Sequence, residues 1–409
     1  MNSQKKAVLA YSGGLDTSII IPWLKERGYE VHCLAGDVGQ GDEELVGLEV
    51  KSLATGASSC RVIDLKEPFL VECVWPALRA LATYQGRYLL GTSLARPVLA
   101  RAQVEYAREV GATTVVHGCT GKGNDQVRFE LGYQAFAPDL EIVAPWRDWE
   151  IVSREDAIDY ANERNIPITA TKEKIYSRDR NLWHISHEGG PLEDPSNVAP
   201  DDVWMLTANP EDAPETPELV TIGFERGVPV SLNGSPTGPV ELVTQLNETA
   251  GAHGVGRVDI VEDRLVGMKS RGLYETPAGT VLYEAARSLR TLAVERDTAH
   301  LADSLAPEWA KLAYNGQWFH PAREALDAFF LSASAPVTGS VTVKLYKGRA
   351  LPISMESENS LYSEDLASFT MGEGYDPKHS EGFVRLFGLP GTVARRAHAN
   401  IPSQSMETA

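Results

Sequence analysis

A short apolar strand, Lys6 to Ala10, runs straight into Ser12-Gly13-Gly14-Leu15-Asp16-Thr17-Ser18. A helical stretch, Asp16 to Arg27, follows and is closed by Gly28. This junction constrains the chain more than any other feature. Two glycines directly after a strand let the backbone turn sharply and approach a ligand closely. The helix then turns its free N–H groups and the positive end of its dipole toward the same place. Ser12, Thr17 and Ser18 add hydroxyl donors. Together these groups form an anion cradle for a polyphosphate. The plainer alternative is an ordinary turn with Asp16 or Thr17 as N-cap. The cradle is not a Walker A loop, because no G-x-x-x-x-G-K-[ST] occurs, and no G-x-G-x-x-G follows a strand.

The first 170 residues continue in strand–helix alternation. Strands are predicted at Glu30 to Gly36, Ser59 to Asp64, Thr114 to His117 and Glu141 to Ala144. Helices are predicted at Asp42 to Thr55, Glu67 to Tyr84, Ser93 to Val110 and Ser153 to Asn165. The pattern implies an α/β fold with a doubly wound parallel sheet, whose ligands bind at the carboxyl ends of strands. From Pro191 to Pro217, Pro, Asp and Glu dominate and predict an irregular connection. Leu219 to Leu232 reads as a hairpin turning at Arg226-Gly227. Val258 to Met268 and Val341 to Tyr346 read as strands, and Val240 to Ala250, Ala278 to Ala299 and Arg323 to Ala333 as helices. The expected organisation is a nucleotide-binding domain over residues 1–170, an α+β domain over 171–357 and a C-terminal helical arm over 358–409.

The net charge of −18 repels nucleic acid and anionic lipid, so any nucleotide site must be local. No run of 18 apolar residues predicts a membrane span. The apolar N-terminal stretch is too short for a signal peptide, so a cytoplasmic location is expected. Cys33, Cys60, Cys73 and Cys119 lack zinc-site spacing, and no protein-held metal is expected.

Three further regions carry chemistry. His117-Gly118-Cys119-Thr120-Gly121-Lys122-Gly123-Asn124-Asp125-Gln126-Val127-Arg128 follows a predicted strand and should share a sheet edge with the first loop. Lys122 and Arg128 suit anionic groups, Arg128 as a carboxylate fork, and Asp125 suits an amine. In Gly86 to Ser93, Ser93 stands where it would cap the helix to Val110, which explains it without a ligand. Tyr176 to Ser186 and Glu262 to Tyr274 are dense in charge and hydroxyls. Taken alone, each also reads as a solvated surface.

AYSGGLDTS, YLLGTSLARP, HGCTGKGNDQVRFEL, NLWHIS, GRVDIVED, VGMKSRGLYETPAGT and SLYSEDLASF, in this order, resemble the argininosuccinate synthase family over nearly the whole chain. The first string alone is similar to the PP-loop of the wider N-type ATP pyrophosphatases. The resemblance implies a ligase that joins citrulline and aspartate at the expense of ATP, releasing AMP and pyrophosphate through a citrullyl-AMP intermediate. It implies ATP contacts at Ala10, Tyr11, Ser12, Gly13, Gly14, Leu15, Asp16, Thr17, Ser18, Gly36 and Gly118. Aspartate would meet Thr120, Asn124 and Asp125. Citrulline would meet Tyr88, Ser93, Asn124, Arg128, Ser177, Ser186, Glu262 and Tyr274. Asp16, Lys122 and Asp125 are the candidate catalytic residues, and Mg²⁺ would arrive with the ATP phosphates. The resemblance also implies a homotetramer built through the C-terminal arm, where Leu361, Tyr362, Leu366, Phe369, Phe383, Val384, Leu386 and Phe387 lack an obvious core. Gly36 and Cys119 depart from the family's usual Ala, and Arg178 and Arg180 are unusual flanks for Ser177. Two alternatives remain: another AMP-forming ligase of the superfamily, and a non-catalytic nucleotide sensor.

Overall fold

The computed structural model describes residues 5–121, 123–151, 153–167, 176–367 and 375–399. Strands β1 (Lys5–Ala10), β2 (Tyr29–Asp37), β3 (Ser59–Asp64), β4 (Thr114–Val116) and β5 (Glu141–Val143) form one parallel sheet in the order β3-β2-β1-β4-β5. Alternation along β1 feeds two cores. Ala7 and Leu9 join Ile19 and Ile21 of the Leu15–Glu26 helix, whereas Val8 joins Leu94 and Val98 of the Gly91–Val110 helix. Helices therefore cover both faces, as the pattern required. Because β1 pairs with β2 on one side and β4 on the other, the strand order reverses between β1 and β4. The loops after these two strands open into the crevice that this reversal leaves.

Several predicted helices are broken, each at a residue with positive φ or a main-chain irregularity. The Asp42 to Thr55 stretch splits into Asp42–Leu45 and Leu48–Ala54, with Gly47 at φ 82° between them. The Glu67 to Tyr84 stretch contains a π-helical segment, Phe69–Val74, and stops after Ala80 because Leu81 turns left-handed. The Ala278 to Ala299 stretch ends at Ala293, and a separate helix, Arg296–Tyr314, starts under a cap from the Glu295 carboxylate. At Ser153 the expected S-x-x-D start is a reciprocal capping box with Asp156.

The rest of the larger unit adds two antiparallel sheets. Strands β6 (Ser177–Arg180), β7 (Ile185–Glu188), β11 (Arg257–Asp263) and β12 (Lys269–Glu275) form one, in the order β11-β12-β7-β6. Strands β8 (Glu218–Glu225), β9 (Val228–Leu232), β10 (Ser235–Pro236), β13 (Gly339–Tyr346) and β14 (Arg349–Glu356) form the other, in the order β10-β9-β8-β13-β14. The β8–β9 hairpin turns at Arg226 and Gly227, both at positive φ, as read from the sequence. The strand expected to reach Met268 instead stops at Asp263 and turns back through Gly267 into β12.

Contacts divide the chain into Met1–Asn359 and Ser360–Ala409. The expected boundary at residue 170 lies outside the described residues. One continuous hydrophobic core includes Val8 and Val115 as well as Leu282 and Trp309. The second unit contains helices Glu364–Ala367, Lys378–Phe387 and Leu389–Ala397. Phe383 and Phe387 stack there at 5.3 Å and are exposed, and Phe369 falls outside the described residues.

Candidate active site

A cleft of about 610 Å³ opens at the carboxyl ends of β1 and β4. Ala10, Tyr11, Ser12, Asp16 and Thr17 line it, together with Gly36 and Gly118. Gly13 (φ +73°), Gly14, Leu15 and Ser18 shape the loop without forming the wall. The left-handed conformation favours glycine at Gly13, and a Cβ there would lie 2.2 Å from Leu48 Cδ2 and would have to displace that methyl. Ser12 and Thr17 share a hydroxyl hydrogen bond at 3.2 Å, and Tyr11 and Ser18 share one at 3.3 Å. Burial pushes the Tyr11 phenol up to about 12. At Gly36, Leu99 and Leu65 occupy the space of the absent methyl, which accounts for the departure from Ala.

The loop after β4 is built on His117. Its Nδ1 accepts the Cys119 N–H at 3.3 Å, which leaves Nε2–H to donate to Glu130 at 3.0 Å. Thr120, Asn124, Asp125 and Arg128 reach the cleft wall, and Lys122 lies outside the described residues. Asp125 is already held by two arginines. Its Oδ1 accepts from Arg128 at 2.9 Å and its Oδ2 from Arg96 at 2.6 Å. Burial pushes this carboxyl up, but the two guanidinium groups outweigh burial and hold it down at about 2. Arg96 also grips Asp179 at 2.6 Å, so one guanidinium ties the Gly91–Val110 helix, the Asp125–Phe136 helix and β6 together.

Arg128 donates to the Tyr314 carbonyl at 3.0 Å and lies 4.9 Å over its ring. Asn124 donates to the Tyr314 hydroxyl at 3.0 Å and accepts the Leu265 N–H at 2.9 Å. Glu262 accepts from the Tyr314 hydroxyl at 2.7 Å and from the Tyr274 hydroxyl. Tyr88 stacks on Tyr274 at 4.2 Å, and its hydroxyl accepts the Thr92 N–H at 3.0 Å. Ser186 and Ser177 come to the wall from β7 and β6. Arg178 donates to His187 at 3.1 Å and Arg180 to Glu43 at 3.2 Å, so the unusual cations have partners and β6 stays regular.

Ser93 departs from the expectation. The helix begins at Gly91, Ser93 is buried in its first turn, and its hydroxyl donates back to the Leu90 carbonyl at 2.9 Å. It neither caps the helix nor lines the cleft. The wall also includes residues that the sequence did not single out for a site, among them Arg96, Asp179, Glu188 and Tyr314. Asp179 and Glu188 sit in or beside the charge-dense Tyr176 to Ser186 stretch. Arg96 and Tyr314 lie in helices whose pattern gives no hint of a site. Burial raises Glu188 to about 7, helped by Glu262, Asp125 and Asp179 and opposed by its ion-pair partner Arg264.

Comparison with known proteins decides what this cleft belongs to. Residues 6–167 match the arginosuccinate synthase N-terminal HUP domain and residues 176–394 match the arginosuccinate synthase C-terminal domain. The chain belongs to the argininosuccinate synthase family. The argininosuccinate synthase of Roseiflexus castenholzii is 57% identical over 390 residues, covering 95% of this chain and 97% of the relative. That of Moorella thermoacetica is 56% identical over 387 residues, covering 94% and 95%. The chloroplastic argininosuccinate synthase of Arabidopsis thaliana is 55% identical over 387 residues, covering 94% of this chain and 78% of the relative. The argininosuccinate synthase resemblance read from separate strings thus extends over nearly the whole chain. ATP use and a nucleotide-binding PP-loop come with the family.

Proposed function

We propose that this chain joins L-citrulline to L-aspartate, with ATP cleaved to AMP and pyrophosphate. The observation that carries the reading is that one cleft gathers the anion loop (Ser12, Asp16, Thr17) and the amino-acid residues (Tyr88, Asn124, Arg128, Ser186, Glu262, Tyr274). The ureido oxygen of citrulline attacks the α-phosphorus, and the bond to the bridging oxygen breaks to release pyrophosphate. The aspartate amine then attacks the activated carbon, and AMP leaves with its new oxygen. Holding the reactants in line is the main task of such a site.

In this reading the loop residues Ala10 to Ser18, with Gly36 and Gly118, hold ATP. The helix N-terminus favours the charge of the departing pyrophosphate. Arg128 takes the citrulline carboxylate and Glu262 its ammonium, beside Tyr88, Ser177, Ser186 and Tyr274. Thr120, Asn124 and Asp125 position aspartate. At a pKa of about 2, Asp125 is a weak proton acceptor, so its part is to orient Arg96 and Arg128. Among the described residues no group of three metal-ligating side chains occurs. Mg²⁺ would therefore be held mainly by ATP oxygens, with Asp16 as the protein carboxylate nearby, and would offset phosphate charge.

Lys122 would serve as a further phosphate-side cation. The 358–409 arm, with exposed Leu361, Tyr362, Leu366, Phe383, Val384, Leu386 and Phe387, is proposed to build a homotetramer. No helix among the described residues is long and apolar enough to cross a membrane, and the cytoplasm is the proposed location.

The test is incubation of the purified protein with ATP, citrulline and aspartate. AMP and pyrophosphate should appear in equal amounts, with all three substrates required. Formation of ADP, or turnover without citrulline, would refute the assignment. Nucleotide binding with no turnover would favour the sensor reading.

A further inference from the structure

The Leu48–Ala54 helix does not line the cleft, yet two of its side chains grip the anion loop. Leu48 is buried, and its Cδ2 occupies the place that a Cβ at Gly13 would take. Lys51, one turn later, donates its ammonium to the Gly13 carbonyl. Burial lowers the pKa of that ammonium, and no carboxylate among the described residues offsets the effect. A half-buried lysine without a carboxylate is costly unless its position does something.

The peptide it holds explains the position. In a trans peptide the carbonyl and the next N–H point in opposite directions. No peptide bond among the described residues is cis. Fixing the Gly13 carbonyl therefore fixes the Gly14 N–H on the other side. Gly14 is the N-cap of the Leu15–Glu26 helix, at φ −69° and ψ 173°, and its N–H meets no acceptor among the described residues. A peptide between two glycines turns over more easily than any other, because neither residue has a Cβ to restrict φ and ψ. Turned over, this one would present a carbonyl where the cradle needs a donor.

We infer that Lys51 is a positioning residue for the nucleotide site: through the Gly13 carbonyl it locks the Gly13–Gly14 peptide with its N–H toward the pyrophosphate end of ATP. The inference rests on the reading of this loop as a pyrophosphate grip. Lys51 acts through the main chain and does not itself touch the phosphates. The bound anion in turn stabilises the donor-out orientation, so lock and ligand reinforce each other.

The test uses the full chain and magnesium pyrophosphate, without turnover. By calorimetry, Lys51→Met should bind magnesium pyrophosphate about tenfold more weakly than the wild type, the scale of one lost charge-assisted hydrogen bond. It should bind AMP, which lacks the β and γ phosphates, within about twofold by the same reasoning. Lys51→Arg, which keeps a cationic donor, should restore most of the loss. A crystal structure of ligand-free Lys51→Met should show the Gly13–Gly14 peptide turned over or in two orientations. An unchanged pyrophosphate affinity overturns the inference. Weaker affinity with the peptide unmoved also overturns it, since Lys51 would then contact the phosphate directly. Equal loss of pyrophosphate and AMP would mean a general collapse of the fold and is a third way to overturn it. A wild-type protein that binds no pyrophosphate would instead overturn the reading of the loop, and the inference with it.

Discussion

The two ends of the cleft solve opposite problems. The anion loop is nine consecutive residues whose chemistry lies in main-chain N–H groups and one helix dipole. The end proposed for the amino acids is a chain of side-chain charges drawn from distant elements: Asp179 to Arg96, Arg96 to Asp125, Asp125 to Arg128. Glu188 with Arg264, and Glu262 with two tyrosines, complete it. The loop's donors wait for an anion. In the network the three arginines are already paired with carboxylates, and Glu262 is held by two tyrosine hydroxyls. A zwitterion entering such a site exchanges partners with the protein and adds no net charge, which keeps its desolvation cost low.

Removing a charge should therefore destabilise the network itself, whereas a change in the loop should weaken ATP and leave the network's pairings intact. Arg96→Leu breaks the comparison at its most sensitive point. It leaves Asp125 with Arg128 alone and the Asp179 carboxylate with no cation among the described residues. Arg96 and its two partners are half-buried, so the loss should be about 3 kcal/mol, the low end of the range for a fully buried pair, which denaturant unfolding should detect. A loss under about 1 kcal/mol, the range of exposed pairs, would show that the network is solvent-screened and structurally idle.

Gly13→Ala comes next. Left-handed backbone costs an alanine about 1–2 kcal/mol, and overpacking against Leu48 about 1–3 kcal/mol. ATP affinity should fall by about tenfold to a hundredfold, with citrulline affinity held within about threefold. Titration of each ligand separately checks this. Parallel loss of both would mean that the two ends are not independent.

The smallest effect is on pH dependence. The folded Glu188 carboxyl keeps its proton up to about 7, whereas an unfolded glutamate loses it near pH 4.3. Between those values the folded state binds more protons, so this group makes stability fall as pH rises, with the full penalty above pH 7. Glu188→Gln removes the penalty. Its melting temperature should gain on the wild type progressively from about pH 4.5 to 7 and level off above. A difference that stays constant over this range would remove Glu188 from the titrating groups of the site.

The same contrast governs how much was legible beforehand. Backbone chemistry is local: Gly13, Gly14 and the start of the next helix are adjacent in the chain, so their arrangement follows from their order. Single positive-φ residues were harder. Gly47 and Leu81 end helices that apolar spacing alone would continue. Ser93 has the composition of a cap but falls inside the first turn, because the helix starts two residues earlier than its pattern suggests. Arg96 looks like any solvent-facing helix cation, and only packing against Asp125 and Asp179 makes it the centre of the wall. Arg264 lay inside a segment already noted for its charge, but its partner Glu188 is 76 residues away.

By itself the sequence determined the doubly wound parallel sheet, the anion loop at the end of its first strand and the family resemblance that names the acceptors. Those features depend on periodicity, glycine placement and contiguous motifs, all of which are properties of neighbours along the chain. Only the tertiary structure decided which charges pair, which carboxyl is held at about 2 and which near 7, and that Lys51 reaches the Gly13 carbonyl from 38 residues away. Ionisation and partner choice depend on burial and on distances through space, and residue order does not specify these.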